Sequence, residues 1–427
     1  MEYYKTEEEY LEALEKRGML PDGFSCAVRK IVFFPRERAV TVPLPMDISM
    51  IMLDKPTEVF GAVFTRNSCP GAPVIIGKNR LQSRKARGIL INNKIANVCT
   101  ATGLSDSSEL LNELAVITGG SADEFFPAST GIIGWHLPVR EIREKLPELA
   151  GSLEKGSAVK LAKGIMTTDS YPKLRSAETG SGRILAVAKG AGMIEPNMAT
   201  MLSFIMTDID IGRKEIREIL SRVVDKTYNS ISVDGDQSTS DTVIIMSSCL
   251  KKGTDSSDFE SALAEVCSKL AEDIVRNAEG TGHVIRVRVE GAESNASAKN
   301  IGKAVVNSPL VGTAVFGNDP NVGRLLSAIG DYMGNSNLDL DTEQLKITLG
   351  KETVFENSAF TLDQDKEAAL AVYLKERALD SEYKNFPAHD LTVDIGITVS
   401  REGRGEAEVL GTDLSYGYVR ENADYRS

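Results

Sequence analysis

With 427 residues, 42% of them hydrophobic, the chain can bury a large core and has length for about two or three domains. A formal net charge of -12 excludes the clustered Lys and Arg of a nucleic-acid footprint, so small molecules are the expected partners. No run reaches the ~18 apolar residues of a membrane span, and MEYYKTEEEYLEALEKRG lacks a signal peptide's cationic and apolar regions, so a cytoplasmic protein is expected.

The elements mix helix and strand without an internal repeat. RGILINN, from Arg87, reads as a buried strand. DSSELLNELAVITG reads as a helix that starts on the capping-box spacing Asp106 to Glu109 and stops at Gly119. SGRILAVAKG is a second buried strand. In SSDFESALAEVCSKLAEDIVRNAEG, Phe259, Leu263, Val266, Leu270 and Ile274 fall on one helical face that must lie on a sheet or another helix. Beyond Asn295 come helices through KNIGKAVVNS, NVGRLLSAIGDYM and DQDKEAALAVYLKERA, and short strands at LKITLG and DLTVDIGITVS. The expectation is a mixed α+β protein: a core over 1–290, a smaller C-terminal α+β unit over 291–405, and a tail over 406–427.

Several chemistries are absent from the pattern. Cys26, Cys69, Cys99, Cys249 and Cys267 contain no CxxC pair, which fits reduced and mostly packed thiols. His136, His283 and His389 are far apart and lack ligand spacing, so no metal is expected. There is no GxxxxGK[ST], GSGRIL lacks the last glycine of a dinucleotide fingerprint, and a Ser-His-Asp triad has no elbow motif. Asp234, Asp236 and Asp241 in SVDGDQSTSD hint at a cation loop, but a polar turn fits their spacing better. FPASTGIIG and IMTTDSYPK set small hydroxyl residues beside glycine or proline, as loops that turn backbone groups towards an anion or substrate do.

KGAGMIEPNMATMLSFIMTD, Lys189–Asp208, poses a sharper question, because Thr200 stands alone between near-apolar runs. In a continuous strand it is ordinary core. After a chain break before it, Thr200 carries a hydroxyl and a free amine together.

Taken in order, STGIIGWHLP, IMTTDSYPK, AKGAGMIEPNMATML, VDGDQSTSDT, NSPLVGTAVFGNDPNVGR and the ending DLSYGYVRENADYRS make the chain resemble the ornithine acetyltransferase family, the glutamate N-acetyltransferases of arginine biosynthesis, from about Gly61 to Ser427. The resemblance implies an αββα-layered fold of the autocleaving amidase type and self-cleavage between Ala199 and Thr200 into α and β chains, assembled as α2β2. It implies ping-pong transfer from N-acetylornithine to glutamate through acetyl-Thr200, with no metal or redox cofactor; bifunctional members also use acetyl-CoA, and nothing in the residues separates the two kinds. It assigns the oxyanion hole to Thr130 and Gly131, and substrate contacts to Thr168, Lys189, Thr200, Glu279, Asn422 and Ser427. A freed α-amine has a reference pKa of about 7.7–8.0, so it can take the proton of its own hydroxyl without a histidine. Small Ala199 and the glycines Gly190 and Gly192 suit the attack on the preceding carbonyl.

The chain departs from the family at NNKIAN (Asn92–Asn97, for NSGNAN), STSD (Ser240 for Asn), EGTGH (His283 for Lys) and NVGR (Val322 for Trp). Lys94 and Ile95 change the charge and backbone freedom of one loop, and His283 changes a charge four residues beyond Glu279. These changes bear on the identity of the substrate more than on acyl transfer. The alternatives are another N-acyl amino acid as donor, an amidase that passes the acyl group to water, or an uncleaved binding protein.

Overall fold

The computed structural model of the protein describes residues 4–195, 201–379 and 390–423. Helix α1 (Glu7–Arg17) is capped by the Thr6 hydroxyl, which accepts the Glu9 N–H, and has acids in its first turn and Lys16 and Arg17 in its last, the order that suits the helix dipole. The chain continues through β1 (Phe24–Phe33), β2 (Leu44–Thr57), β3 (Phe60–Phe64), α2 (Ala72–Arg80), β4 (Ala86–Asn92), α3 (Gly103–Thr118), β5 (Phe125–Ser129), α4 (Val139–Gly151) and α5 (Val159–Gly164). Next come β6 (Lys173–Thr179), β7 (Gly182–Lys189), β8 (Leu202–Ile209), α6 (Arg213–Lys226), β9 (Thr242–Lys251) and α7 (Ser256–Arg276).

Two sheets form the centre, in strand orders β1-β2-β4-β5 and β3-β9-β8-β7-β6. They face one another through an apolar layer that includes Ile51 and Phe126 from the first and Val187, Phe204 and Ile244 from the second. On the outer face of the first sheet, Leu110, Leu114, Ile142 and Leu146 of α3 and α4 pack on Ile48, Met50 and Leu90. On the other side, Ile216 and Leu220 of α6 and Leu263 and Leu270 of α7 pack on Ala186, Ile205 and Ile245. The layers therefore run α, β, β, α, and each sheet buries both faces. That explains β8: all eight of its residues are buried, with Leu202, Phe204 and Met206 in the layer between the sheets and Ile205 in the helix-facing core.

The amphipathic face read on α7 is buried along its length, Phe259 to Ile274. Helix α3 begins earlier than the capping-box spacing indicated. The Asp106 N–H already donates to the Thr102 carbonyl at 2.8 Å, so Asp106 lies inside the first turn, where its carboxylate accepts the Thr102 hydroxyl at 2.8 Å. The stop at Gly119 holds, in the left-handed conformation at φ +69.

A third sheet follows, built with β10 (Val284–Ala292), α8 (Asn295–Val306), α9 (Pro309–Phe316), α10 (Val322–Asn335), β11 (Lys346–Leu349), β12 (Glu352–Glu356), β13 (Ala359–Phe360), α11 (Gln364–Lys375), β14 (Val393–Thr398) and β15 (Gly405–Thr412). Its order is β13-β12-β11-β14-β10-β15, with β10 and β14 the parallel pair. Ile301 and Val305 of α8 and Leu325 and Ile329 of α10 cover it, and Val322 belongs to this core. A last helix, α12 (Tyr416–Ala423), leaves β15 and returns to the central layers.

Candidate active site

A cavity of about 220 Å3 opens where β5, β7 and β8 end or begin, and Thr130, Gly131, Thr168, Lys189, Glu279 and Asn422 all line it. Residues nearly three hundred positions apart in the chain thus meet in one space. Ala199, Thr200 and Ser427 lie outside the described residues, as does His389. Met201 lines the cavity, and its carbonyl accepts the Thr242 N–H at 3.0 Å.

The loop after β5 separates its donors. The Thr130 N–H is bound to the Asn92 carbonyl at 3.1 Å and the Ile132 N–H to the Lys94 carbonyl at 3.0 Å, while the Gly131 N–H between them has no acceptor among the described residues. Gly131 has φ +122, and a Cβ there would stand 2.2 Å from the Lys94 carbonyl oxygen, so only glycine fits. The loop read as NNKIAN is the buttress of this turn: Asn92 Nδ2 donates to the Ile95 carbonyl at 2.7 Å, and the Ser129 hydroxyl donates to Asn92 Oδ1 at 2.5 Å.

Lys189, the last residue of β7, is buried and donates from Nζ to Thr130 Oγ1 at 3.3 Å. That leaves the Thr130 hydroxyl proton free to point elsewhere. Burial pushes the Lys189 pKa down; Asp169 opposes the shift and Lys173 adds to it, and the net result is a lowered value.

Glu279 follows α7, and its N–H donates to the Ala191 carbonyl at 3.0 Å. Gly192 is needed here for closeness rather than for a bend, since a Cβ would lie 2.1 Å from Glu279 Oε2. Asn422 of α12 donates from Nδ2 to the same oxygen at 2.9 Å. Helix α12 is held to the turn beyond Glu279: the Ser415 hydroxyl donates to the Gly280 carbonyl, and the Tyr418 N–H donates to Ser415 Oγ at 3.1 Å. Burial, with Glu279 nearby, raises the pKa of the neighbouring Glu421.

The segment SVDGDQSTSD is a polar turn with a holding role. Asp234 accepts the N–H groups of Met193 at 2.6 Å and Ile194 at 2.8 Å, and the Tyr418 hydroxyl at 3.2 Å. Farther along the same turn, the side-chain oxygens of Thr239 and Ser240 are buried without a hydrogen-bond partner among the described residues, and both residues line the cavity. Unpaired buried hydroxyls are costly, which makes them ready groups for a polar ligand. Sequence reasoning missed this pair as a site, and the unexplained run of hydroxyls in STSD was the available signal.

A second chamber of about 430 Å3 shares Gly131, Ile132, Thr167, Thr168 and Glu279 with the first, and Lys94 lines it together with Lys30, Asp47 and Glu421. The departure at residue 94 therefore faces the approach to the cavity. The departure at residue 283 does not: His283 Nδ1 meets Asp413 Oδ2 at 2.8 Å in a buried pair outside both chambers. Of the cysteines, Cys26 and Cys267 are buried, Cys249 is half-buried and Cys69 and Cys99 are exposed.

Comparison with known proteins places this cavity in context. The model of the ArgJ family matches residues 40–427. The arginine biosynthesis bifunctional protein ArgJ of Geobacter sulfurreducens is 37% identical over 413 residues, 94% of this chain and 100% of that protein. The glutamate N-acetyltransferase Oat2 of Streptomyces clavuligerus is 36% identical over 382 residues, 89% of this chain and 93% of that one. Among solved structures, an ArgJ bifunctional protein of Bacillus halodurans is 35% identical and aligns over 53% of this chain and 100% of its own, with a TM-score of 0.46. With a family model matched along most of its length and relatives of this identity over nearly all of it, the chain belongs to the ArgJ family.

Proposed function

We propose that the protein is a glutamate N-acetyltransferase of arginine biosynthesis, moving the acetyl group of N-acetylornithine to glutamate through an acetyl ester on Thr200. The observation that carries this reading is the convergence of Thr130, Gly131, Thr168, Lys189, Glu279 and Asn422 on the cavity walled by Met201, the residue after Thr200. In maturation, the Thr200 hydroxyl attacks the Ala199 carbonyl, the acyl group passes from nitrogen to oxygen, and water opens the ester to free the Thr200 amine. In transfer, that amine takes the hydroxyl proton as the oxygen attacks the acetyl carbonyl.

The tetrahedral oxyanion is met by the Gly131 N–H and the Thr130 hydroxyl, the two donors the loop leaves unspent. Collapse breaks the amide C–N bond and returns the proton to the departing ornithine amine. Glutamate then attacks the acetyl ester with its amine, and Thr200 is regenerated. Lys189 is suited to a substrate carboxylate, and Glu279 with Asn422 to a substrate amine. The substrates are small molecules, and the cleaved chains are read as an α2β2 assembly in the cytoplasm; no helix among the described residues is long and apolar enough to cross a membrane. The chemistry is complete with threonine, its amine and fixed hydrogen-bond donors, so no resident cofactor is part of it.

Purified protein given N-acetylornithine and glutamate should release ornithine and N-acetylglutamate in equal amounts. Ornithine accompanied by acetate instead would replace transfer with amide hydrolysis. In cleaved protein, Thr130→Ala is expected to lower kcat by about a hundredfold or more, the scale of one lost oxyanion donor; an unchanged kcat would place the oxyanion elsewhere. Because cleavage passes through its own oxyanion, the extent of cleavage is measured beside turnover.

Removing residues 422–427 takes away the Asn422 amide that holds Glu279 and the Ser427 hydroxyl. The truncated protein is expected to cleave itself yet lose transfer chiefly through a higher KM for N-acetylornithine. A wild-type kcat/KM in this truncation would remove Asn422 and Ser427 from the site.

A further inference from the structure

Beneath the cavity wall, several elements meet at one buried carboxylate that touches no cavity space. Asp169 Oδ1 accepts Lys173 Nζ at 2.5 Å and the Gly190 N–H at 2.8 Å, and its Oδ2 accepts the Thr167 N–H at 3.0 Å. The side chains of Asp169 and Lys173 are both 0% exposed. Lys173 Nζ also donates to Asn277 Oδ1 at 2.6 Å, and that oxygen accepts the Ser170 N–H at 3.1 Å. Neither Asp169, Lys173 nor Asn277 lines either chamber.

What the network holds is informative. Thr167 and Asp169 flank Thr168, Gly190 follows Lys189, and Asn277 lies two residues before Glu279, so each anchored position adjoins or nearly adjoins a residue of the cavity wall. A buried ion pair is weak evidence for stability, because desolvation offsets much of its attraction, but a fully hydrogen-bonded one fixes geometry. We propose that Asp169 is a positioning residue for substrate binding, which locks Thr168 and Lys189 into one wall of the cavity and supplies the buried counter-charge of the Lys189 ammonium.

The charge balance supports this assignment. Burial disfavours ionised Asp169, yet Lys173, Lys189 and the Gly190 N–H outweigh it and hold the carboxyl far below the usual carboxylate range. Among the described residues, Asp169, Lys173, Glu279 and Asp241 are the ionisable groups that act most strongly on Lys189 from the surrounding elements. Removing Asp169's charge lowers the pKa of Lys189, and removing Lys173's charge raises it. The two variants therefore move the same group in opposite directions, while the split between KM and kcat separates a positioning role from a merely structural one.

The inference rests on the acyl-transfer reading for its kinetic arm only. In self-cleaved protein, Asp169→Asn is expected to raise KM for N-acetylornithine by about ten- to a hundredfold, the scale of a charge-assisted hydrogen bond, with kcat changed far less. Between about pH 6 and 10, its KM should begin to climb at lower pH than in wild type, while that of Lys173→Met should begin to climb at higher pH. Lysine-selective NMR titration of Lys189 reads the same shifts without any substrate, in wild type and in both variants. If Asp169→Asn alone fails to fold, the double variant Asp169→Asn/Lys173→Met, which leaves neither charge of the pair buried without its partner, is compared with Lys173→Met, and Lys189 should titrate lower in the double variant. A Lys189 titration that is unmoved, or moved in the same direction in both variants, overturns the inference whatever the substrate is. Opposite shifts in a protein that does not turn over N-acetylornithine uphold it and overturn the substrate reading instead.

Discussion

Thr200→Ala protein is expected to remain a single chain of 427 residues and to lose acetyl transfer by about 10^4-fold or more, the scale of removing a covalent nucleophile. Wild type should resolve by intact mass spectrometry into residues 1–199 and 200–427. The two losses share one cause. The hydroxyl is the only group at residue 200 able to attack the Ala199 carbonyl, and without cleavage no free amine exists to serve as base. Met201 lines the cavity and β8 begins at Leu202, so the substitution precedes the buried strand in the chain and changes none of the side chains that pack the layers. Folded wild-type protein that shows only the full-length mass would remove self-cleavage, and with it the acetyl-Thr200 mechanism.

Gly131→Ala should be the most damaging single methyl in the site. The residue has φ +122, a conformation close to glycine's alone, which costs a side chain about 1–3 kcal/mol before any contact is counted. The added Cβ would also meet the Lys94 carbonyl oxygen at 2.2 Å and its carbon at 2.3 Å. Those are backbone atoms, and the Ile132 N–H holds the same carbonyl, so the clash is relieved only by moving the turn that aims the Gly131 N–H. A loss of about 3 kcal/mol or more of stability and at least a hundredfold fall in kcat are expected. Gly334→Ala in α10, where a Cβ meets nothing within 4 Å, is the control and should be neutral or slightly stabilising. Thermal unfolding with kcat measured on both variants checks the pair; a Gly131→Ala enzyme with wild-type turnover would take the oxyanion away from this loop.

Local pattern made much of the fold legible. The apolar spacing of α7, the glycine stop of α3, and the buried runs of β4 and β7 are set by periodicity and turn chemistry that neighbours in sequence express by themselves. The start of α3 was not, because the spacing Asp106 to Glu109 has the form of a cap wherever it occurs, and only the Thr102 carbonyl's bond to Asp106 tells a first turn from a boundary. Six residues of the candidate site, Thr130, Gly131, Thr168, Lys189, Glu279 and Asn422, were legible one by one through ordered motifs, but their meeting in one cavity was not. Asp169 and Lys173 sit in the quoted IMTTDSYPK stretch, yet nothing local distinguishes a buried ion pair from two solvated charges.

By itself, then, the sequence determined the mixed α/β class, the family, and the residue types available for acyl transfer, because these depend on short-range order along the chain. Tertiary structure alone decided which backbone donor is left unspent at Gly131, that Lys94 faces the approach to the cavity while His283 turns away to Asp413, and that Asn422 reaches Glu279. Each of those facts depends on strands and a returning helix drawn from distant parts of the chain. Their pairing is set by the burial of whole faces, to which no short stretch of residues holds the key.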